Sequence, residues 1–422
     1  MKYSVVTFGC RVNQADSLGF EEDFLAQGGI PAAIEDADVV VVNTCSVTAS
    51  ADQAARQTIR RVNRVNPAAQ IVVTGCYATR RPDEVRDLPN VVRVVPNDDK
   101  PQLVPILGRA GLVPDRSTAE RFGEGDGSCG AAIEPGVAGR TAFTLRVQTG
   151  CAEPCSYCII PSTRGTPRSV AVGAVLAEAD RVIAAGFKEI ALTGVHLGSY
   201  GSDLAGSISL IDLLRALDGR DNVLFRISSL EPMDCTTAII DLVAGSPAFA
   251  PHFHLPLQHA SNAVLAAMRR PYTIEHYATL VDRIRTEIPH AAIGTDIIVG
   301  FPGETDADFE CLASYLESSP VTHAHVFPYS DRPGTPAAAM GNRPAPAVVR
   351  DRSRRIREIS ERLAKQFRRS QVKTVHRALT LDDGTLAVTG NYLKLKIPPG
   401  LSRNQWIDVR VTSADPLSGE IV

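Results

Sequence analysis

The sequence predicts an α/β protein in three parts: an N-terminal α/β domain with a parallel sheet, a central (β/α)6 partial barrel, and a small C-terminal all-β domain. Short apolar, β-branched segments alternate with helix-like segments through the first hundred residues, and again from about residue 141 to residue 327. The last fifty residues show short alternating strands and turn signals instead. These patterns place the domains at residues 1–110, 139–368 and 369–422, with a linker at 111–138.

Three strand-like segments, KYSVVTF, DVVVV and QIVVT, lie in the N-terminal domain, and helix-like stretches at residues 15–27 and 49–65 separate them. This βαβαβ order predicts a parallel sheet with helices on its faces. Cys10, Cys45 and Cys76 each follow the C-terminal end of one strand. Ligand sites of open α/β sheets form at that edge, so we expect the three thiols to meet in a metal site with one open position.

The linker is rich in proline and glycine, and we expect its Cys129 not to be a ligand. After the linker, strand signals alternate with helix signals, for example at residues 172–185 and 274–287. Six such units predict a partial or complete barrel of parallel strands. The strand segments are TLRVQT, EIALTG, LFRISS, HFHLPL, AIGTDIIVG and HAHVFPY.

A cysteine motif, CAEPCSYC, follows the first strand of the predicted barrel and contains Cys151, Cys155 and Cys158. Three thiolates at this spacing can bind three irons of a cubane iron–sulfur cluster and leave the fourth iron without a protein ligand. Electron-carrying clusters and structural zinc sites normally have four protein ligands, so the open position indicates catalysis. Zinc remains the main alternative, although the nearest downstream histidine, His196, is too far along the chain for finger-type spacing.

Composition is ordinary for a globular protein, with 44% hydrophobic and 22% charged residues among 422. The first residues do not resemble a signal peptide, and no apolar run approaches the length of a membrane span. A disulfide interpretation of the close cysteines is therefore disfavoured, and a reducing, cytoplasmic location is expected. Cys235 and Cys311 are interpreted as core or surface thiols.

Charge is distributed unevenly. The formal net charge is −3, but residues 350–373 contain ten Lys or Arg and three acids, a balance of +7 that leaves −10 for the rest. An apolar stripe of Ile356, Ile359, Leu363 and Phe367 predicts a helix with arginines on its other face. The simplest interpretation is a solvated helix packed on the barrel. With the basic strand residues further on, the pattern also favours a polyanionic partner such as nucleic acid.

These motifs and their order resemble the radical S-adenosylmethionine (SAM) enzymes, and the whole chain resembles a methylthiotransferase with a C-terminal RNA-binding domain of the TRAM type. FGCRVNQ, LTGVHLGSYG and FPYSDRPGTPAA are most similar to the branch that acts on N6-threonylcarbamoyladenosine in tRNA. The branches acting on isopentenyladenosine in tRNA, or on a ribosomal-protein aspartate, are the alternatives within the family. A non-catalytic iron–sulfur electron carrier is the alternative from another class.

The resemblance implies two [4Fe-4S] clusters and S-adenosylmethionine as cofactors. Cys151, Cys155 and Cys158 would bind the cluster that cleaves SAM, and the three strand-end cysteines would bind a cluster that holds the sulfur to be inserted. The product would be a 2-methylthio adenosine beside the anticodon. Implied partners are the tRNA anticodon stem-loop, an electron donor such as flavodoxin or ferredoxin, and a sulfur source, with no membrane.

Further residues are expected around SAM. Gly194 follows the second barrel strand and would permit close approach of backbone to the SAM amino group. Ser228, which ends the third strand, would reach the SAM ribose or carboxylate. Weaker candidates of the same kind are Thr193, Ser229, Gln258, Gly300 and Gly303. The histidines His252, His254 and His259 are interpreted as hydrogen-bonded core residues rather than ligands.

Overall fold

The computed structural model describes residues 1–113, residue 135 and residues 141–422. Cys129 and most of the expected linker lie outside these residues, and the domain boundaries given above remain predictions. None of the described helices combines the length and the apolar character needed to cross a lipid bilayer.

The N-terminal domain contains a parallel sheet whose described strands run in the order β2-β1-β3-β4-β5. Both faces are buried: Val40 and Val42 pack into one apolar cluster, while Val39 and Val41 pack into another on the opposite side. Such continuous apolar strands are typical of parallel sheets covered by helices on both faces. The strands are β1 (Lys2–Thr7), β2 (Ile30–Pro31), β3 (Val39–Thr44), β4 (Gln70–Gly75) and β5 (Val91–Val95).

Helices connect these strands, as the sequence pattern predicted. The second of them begins where Thr48 accepts a hydrogen bond from the backbone of Ala51, as an N-cap residue does. Its bounds agree with the prediction, whereas the first helix begins four residues earlier than predicted. The helices are α1 (Arg11–Ala26), α2 (Ala49–Val65), α3 (Cys76–Arg80), α4 (Pro82–Arg86) and α5 (Leu103–Arg109).

The central domain has six parallel strands arranged as two three-stranded sheets, in the orders β10-β9-β6 and β11-β12-β13. A parallel bridge between Phe225 and Phe249 joins the two sheets into one curved wall. The predicted α/β fold with a partial barrel is confirmed. The strands are β6 (Phe143–Arg146), β9 (Glu189–Thr193), β10 (Leu224–Ile227), β11 (His252–His254), β12 (Ala292–Val299) and β13 (His323–Pro328), and a short antiparallel pair, β7 (Gln148–Thr149) and β8 (Arg168–Ser169), flanks the first of them.

The helices of the central domain pack around this wall, and the apolar side chains between them form the largest core cluster of the described residues. The last helix is long and amphipathic, and buries Ile356, Ile359 and Leu363 in that core. The helices are α6 (Ile160–Arg164), α7 (Val172–Ala184), α8 (Leu210–Leu217), α9 (Thr237–Gly245), α10 (Asn262–Ala267), α11 (Ile274–Glu287), α12 (Asp306–Ser318) and α13 (Pro346–Ser370).

The C-terminal domain is a closed barrel in the strand order β14-β15-β16-β18-β17, which confirms the predicted all-β class. A buried arginine, Arg226, ties this domain to the central barrel. Its guanidinium pairs with Glu189 at 2.8 Å and donates to the backbone carbonyl of Gly390, also at 2.8 Å. The strands are β14 (Val375–Leu381), β15 (Leu386–Thr389), β16 (Lys394–Lys396), β17 (Trp406–Ala414) and β18 (Leu417–Ile421).

Candidate metal centres and the cavity at the barrel mouth

The three strand-end cysteines of the N-terminal domain meet in space. Cys10, Cys45 and Cys76 follow β1, β3 and β4, and all three line one cavity of about 500 Å³. Glycines make this possible: a Cβ on Gly9, which has a φ of +87°, would lie 2.7 Å from the Cys45 sulfur. A Cβ on Gly75 would lie 2.2 Å from the Thr44 carbonyl oxygen. Close approach at these turns therefore requires the absence of a side chain.

The chemistry of this donor set fits a metal centre. Burial, together with the neighbouring thiolates of Cys76 and Cys10, raises the pKa of the Cys45 thiol to about 11. Three neighbouring thiolates repel one another, so all three cysteines can be deprotonated together only when a cation lies between them. Bound iron would supply that cation, and the described chain brings no fourth cysteine to the cavity.

Basic side chains surround this first triad. Lys100 and Arg164 are almost fully buried, and both contact Asp16, at 2.8 Å and 3.5 Å respectively. Arg146 makes a third ion pair with the same carboxylate. One buried acid thus balances three cations, and the surplus positive charge lies beside the Cys76 and Cys10 thiols, whose thiolates raise the pKa of Arg164. This charge would stabilise an anionic thiolate-ligated cluster.

The second triad, Cys151, Cys155 and Cys158, lies in the loop between β7 and α6. Each sulfur accepts a hydrogen bond: Cys151 from the backbone of Glu153 at 3.4 Å, and Cys158 from the backbone of Ile160 at 3.4 Å. Cys155 accepts a hydrogen bond from the guanidinium of Arg270. Burial raises the pKa of Cys158 to about 12, with contributions from the other two thiolates. Half-buried sulfurs with N–H donors are typical of iron–sulfur ligands.

Arg270 is a residue of this site that sequence reasoning missed. Its guanidinium is buried and donates to the Cys155 sulfur at 3.1 Å and to the Tyr272 hydroxyl at 3.0 Å. It also pairs with the Glu231 carboxylate. Burial raises the pKa of Glu231, and the charge and hydrogen bond of Arg270 oppose that rise. The sequence MRRPYT carries no periodic signal that would have separated Arg270 from its exposed neighbour Arg269.

The expected SAM contacts Gly194 and Ser228 both line the cavity that holds the first triad, together with Thr193 and Ser229. A Cβ on Gly194 would lie 2.9 Å from the Gln148 side-chain oxygen, so this position needs the close approach that glycine permits. The Ser228 hydroxyl is buried and has no hydrogen-bond partner in the described part of the chain. An unpaired buried hydroxyl beside an open cavity fits a polar ligand there.

The remaining expected residues lie elsewhere. Gln258 lines a smaller neighbouring cavity of about 200 Å³ with Cys158. Gly300 packs tightly against Val349, while a side chain on Gly303 would meet open space. His259 is a buried core residue that accepts a hydrogen bond from the Ser261 backbone, as expected.

His254 makes a hydrogen bond with Ser229 at 3.1 Å, as expected, but it and His252 face the cavity rather than the core. Both line the cavity, and the Nδ1 of His252 and the Nε2 of His254 have no hydrogen-bond partner among the described residues. His323 and His325 line the cavity from β13, and sequence reasoning assigned them no role. Arg11 and Tyr392 line it too, so all three domains contribute side chains.

Comparison with known protein families gives matches to two stretches of the chain. Residues 2–96 match the model of a family described as Uncharacterized protein family UPF0004, and residues 145–316 match the Radical SAM superfamily. The chain is 36% identical to the threonylcarbamoyladenosine tRNA methylthiotransferase MtaB of Bacillus subtilis (strain 168), a match that covers 86% of this chain and 80% of the relative. The protein of the same name from Aquifex aeolicus (strain VF5) is 35% identical, with 94% and 96% covered.

A second group of relatives is equally similar. The tRNA-2-methylthio-N(6)-dimethylallyladenosine synthase of Streptomyces coelicolor is 36% identical over 88% of this chain and 74% of its own length. Among solved structures, the radical SAM methyltransferase TsrM from Kitasatospora setae, with cobalamin and a [4Fe-4S] cluster bound, superposes with a TM-score of 0.55. That match has 17% identity and covers 80% of this chain and 76% of the other, so it supports the fold alone.

Proposed function

Because the chain belongs to the radical-SAM methylthiotransferases, whose cofactors are S-adenosylmethionine and [4Fe-4S] clusters, we propose that its substrate is N6-threonylcarbamoyladenosine in tRNA. The enzyme would insert sulfur and a methyl group at C2 of that adenine, beside the anticodon. One observation carries the proposal: the cavity that contains the first cysteine triad is also lined by the ionisable side chains of Arg11, His254 and His325.

The two relatives' names distinguish their substrates by the group on the adenine N6 atom. A threonylcarbamoyl group carries a carboxylate, a hydroxyl and N–H donors, whereas a dimethylallyl group is a branched hydrocarbon. Buried polar groups that a ligand leaves unpaired weaken its binding. Arg11, His254 and His325 in this cavity therefore favour the threonylcarbamoyl substrate over the dimethylallyl one.

In the proposed site, Cys151, Cys155 and Cys158 hold one cluster, and Cys10, Cys45 and Cys76 hold the other. Bound together, the clusters and SAM supply reductive SAM cleavage, sulfur and a methyl group, which no protein side chain provides. The protein's own contribution is placement. The Ser228 hydroxyl and the close backbone at Gly194 orient a polar ligand, and the N-terminal domain contributes the first triad and Arg11 to the same cavity.

One short helix connects the two proposed centres. The backbone of Ile160 at the start of α6 donates to Cys158, and Arg164 at its end donates to Asn13 in the N-terminal domain. Arg164 also lines the cavity of the first triad. The five-residue helix α6 would therefore hold the two centres at a fixed distance from each other. This supports a reaction that uses both centres.

The tRNA would approach along basic surface. Arg368 of α13 and Lys394 of β16 line a groove with Phe367 and Tyr392, and Tyr392 also lines the catalytic cavity. Positive side chains beside aromatic rings are typical of surfaces that bind single-stranded nucleic acid. The reaction also needs electrons and sulfur, for which we propose a flavodoxin- or ferredoxin-type donor and a separate sulfur source.

Mass spectrometry of nucleosides from bulk tRNA tests the proposal, comparing cells with and without the gene. We expect deletion to remove methylthiolated threonylcarbamoyladenosine. The intact gene should restore it, and a gene encoding Cys155→Ala should not. Loss of methylthiolated dimethylallyladenosine instead would assign the protein to the other substrate, and an unchanged tRNA profile would exclude both.

A further inference from the structure

We propose that the last three barrel strands form a subsite for the amino-acid group of the substrate, built from His254, Asp296 and His325 and completed by Arg11. In this subsite His254 and Asp296 accept a hydrogen bond from the side-chain hydroxyl of the amino acid, and Arg11 with His325 binds its carboxylate. The inference rests on the proposed function, and it names the side chains that distinguish the threonylcarbamoyl substrate from the dimethylallyl one.

Strand register places these side chains together. In the parallel pairing, His254 of β11 lies opposite Gly294 of β12, and Asp296 lies opposite His325 of β13. Residues two apart along a strand point to the same face of a sheet. Gly294 and Asp296 are two apart on β12, so His254, opposite Gly294, and His325, opposite Asp296, lie on the same face as Asp296. One ligand-type atom from each of His254, Asp296 and His325 lies within 4.8 Å of the others.

His254 and Asp296 form an unsatisfied pair of acceptors. The Nδ1 atom of His254 is 3.1 Å from the Ser229 hydroxyl oxygen, and its buried Nε2 atom has no hydrogen-bond partner in the described residues. The Nε2 atom lies 3.3 Å from a carboxylate oxygen of Asp296. When Nδ1 donates to Ser229, Nε2 keeps a lone pair beside the carboxylate of Asp296, which lines the smaller neighbouring cavity, so the two acceptors lie at the junction of the two cavities. A hydroxyl hydrogen placed there would satisfy this arrangement.

Gly294 leaves the space that the subsite needs. A Cβ at this position would lie 2.6 Å from the Nε2 of His323 and 3.0 Å from a ring carbon of His254. The rings of His254 and His325 have centroids 5.7 Å apart, and those of His323 and His325 are 5.5 Å apart. Without a side chain at residue 294, three imidazoles fit around one point on the barrel wall.

Arg11 supplies the positive charge. It lines the same cavity from the first turn of α1, and its guanidinium contacts the Tyr392 hydroxyl at 3.5 Å. Across residues 1–113 and 141–422, no carboxylate forms an ion pair with it. His325 is exposed at the cavity edge and makes ring contacts but no hydrogen bond in the described chain. A cation that has no carboxylate partner among the described residues, in a cavity that also contains imidazoles, suits a carboxylate ligand.

Reconstituted holoenzyme and synthetic anticodon stem-loops test this assignment. Four RNAs would carry adenosine modified with threonylcarbamoyl, its carboxylate methyl ester, glycylcarbamoyl without the hydroxyl, or dimethylallyl. Initial rates of methylthiolation give kcat/KM for each. For the wild type, we expect kcat/KM for the threonylcarbamoyl RNA to be at least ten times higher than kcat/KM for either the ester RNA or the glycylcarbamoyl RNA.

The variants separate the two contacts. Arg11→Gln should lower kcat/KM for the threonylcarbamoyl RNA at least tenfold more than for the ester, and His325→Ala should do so more weakly. Asp296→Asn should abolish the difference between the threonyl and glycyl RNAs. Arg60→Gln and His276→Ala, both exposed and remote, are matched controls that should retain wild-type selectivity.

Iron content of each variant would be measured first, since Arg11 follows Cys10. An equal loss of kcat/KM on all RNAs at normal iron content would overturn the subsite, as would unchanged selectivity in Arg11→Gln and Asp296→Asn. If the wild type modifies the dimethylallyl RNA and not the threonylcarbamoyl RNA, the proposed function itself fails. If it modifies the threonylcarbamoyl RNA with selectivity unaffected by the variants, only the subsite fails.

Discussion

At the scale of single residues, the two cysteine triads differ in what surrounds their sulfurs. In the second triad, backbone N–H groups serve Cys151 and Cys158, whereas Cys155 accepts from a charged side chain. Hydrogen bonds to ligand sulfurs help to set the reduction potential of an iron–sulfur cluster. Arg270 is therefore a residue through which the protein can tune this centre.

Arg270→Gln should lower the reduction potential of the cluster on the second triad. The reduced cluster carries more negative charge, so loss of a cationic donor destabilises it. A hydrogen bond to a charged group contributes about 1.5–3 kcal/mol, and about 1.4 kcal/mol corresponds to roughly 59 mV for one electron, so we expect a shift of roughly 50 mV or more. A redox titration followed by electron paramagnetic resonance measures it. The adjacent exposed Arg269→Gln is the control, and equal potentials in all three proteins would contradict the assignment.

Replacement of one cysteine in each triad should separate the two centres. Cys155→Ala should abolish formation of deoxyadenosine from SAM and reductant while the iron of the first centre remains. Cys45→Ala should retain deoxyadenosine formation and lose methylthiolated product. Chromatography with mass detection measures both products, and iron analysis reports occupancy. Full product formation by Cys45→Ala would show that the first triad is not the sulfur-inserting centre.

The grouping of the cysteines into two triads could be predicted because its signals are local. One triad has a fixed spacing within eight residues, and each cysteine of the other follows the end of a strand. Arg270, His325 and Arg11 carry no comparable signal. Arg270 reaches Cys155 across 115 residues of sequence, and Arg11 reaches Tyr392 across 381. Contacts of this kind depend on how the strands and domains pack, which a single sequence does not reveal.

At the scale of elements, hydrophobic periodicity predicted the long helices and the central strands, because their burial dominates their sequence pattern. The helices predicted at residues 49–65 and 274–287 have those bounds in the structure. The edge strands β2 and β5 were not predicted. β2 has two residues and both are exposed, whereas β5 (VVRVV) is rich in valine, but its apolar run is short and is interrupted by the exposed Arg93.

The helix α13 combines a buried apolar face with an exposed basic one, as its sequence predicted. Its last turn contributes Arg368 to the groove shared with Lys394. The double variant Arg368→Gln, Lys394→Gln should weaken tRNA binding and make its dependence on log salt shallower by about 1.5, because each phosphate contact contributes roughly 0.7–0.9. Fluorescence anisotropy at several salt concentrations measures this slope.

Arg362→Gln is the control on the same helix, since Arg362 already pairs with Glu317 at 2.9 Å. It should leave the slope close to the wild-type value. If the double variant also retained the wild-type slope, the tRNA would not contact this groove.

At the scale of the whole molecule, buried ion pairs join the domains. Asp16 of the N-terminal domain pairs with Arg146 and Arg164 of the central domain as well as with Lys100. Burial alone would raise the pKa of Asp16, but the three cations hold it below its usual value. The stabilisation from this carboxylate is therefore complete above the ordinary Asp pKa, and is lost as pH falls through the lowered folded-state pKa.

Asp16→Asn should destabilise this junction by about 3–5 kcal/mol, because it leaves Lys100 and Arg164 buried without a counter-charge. Thermal unfolding at neutral pH should show a clearly lower Tm. Asp87→Asn, at an exposed position, is the matched control and should unfold like the wild type. A Tm for Asp16→Asn within one degree of the control would mean that the junction does not depend on this carboxylate.

Tyr392 lines the cavity of the first triad from a domain that is synthesised after the other two, so the cavity wall is completed late in synthesis. The ribosome completes Cys76 316 residues before Tyr392, and synthesis at about 5–20 residues per second separates the two by roughly 16–60 s. During that interval the N-terminal sheet can fold and bring its three thiols together while the cavity wall that Tyr392 provides does not yet exist. An iron–sulfur carrier thus has wider access to the first triad during synthesis than it has in the folded protein.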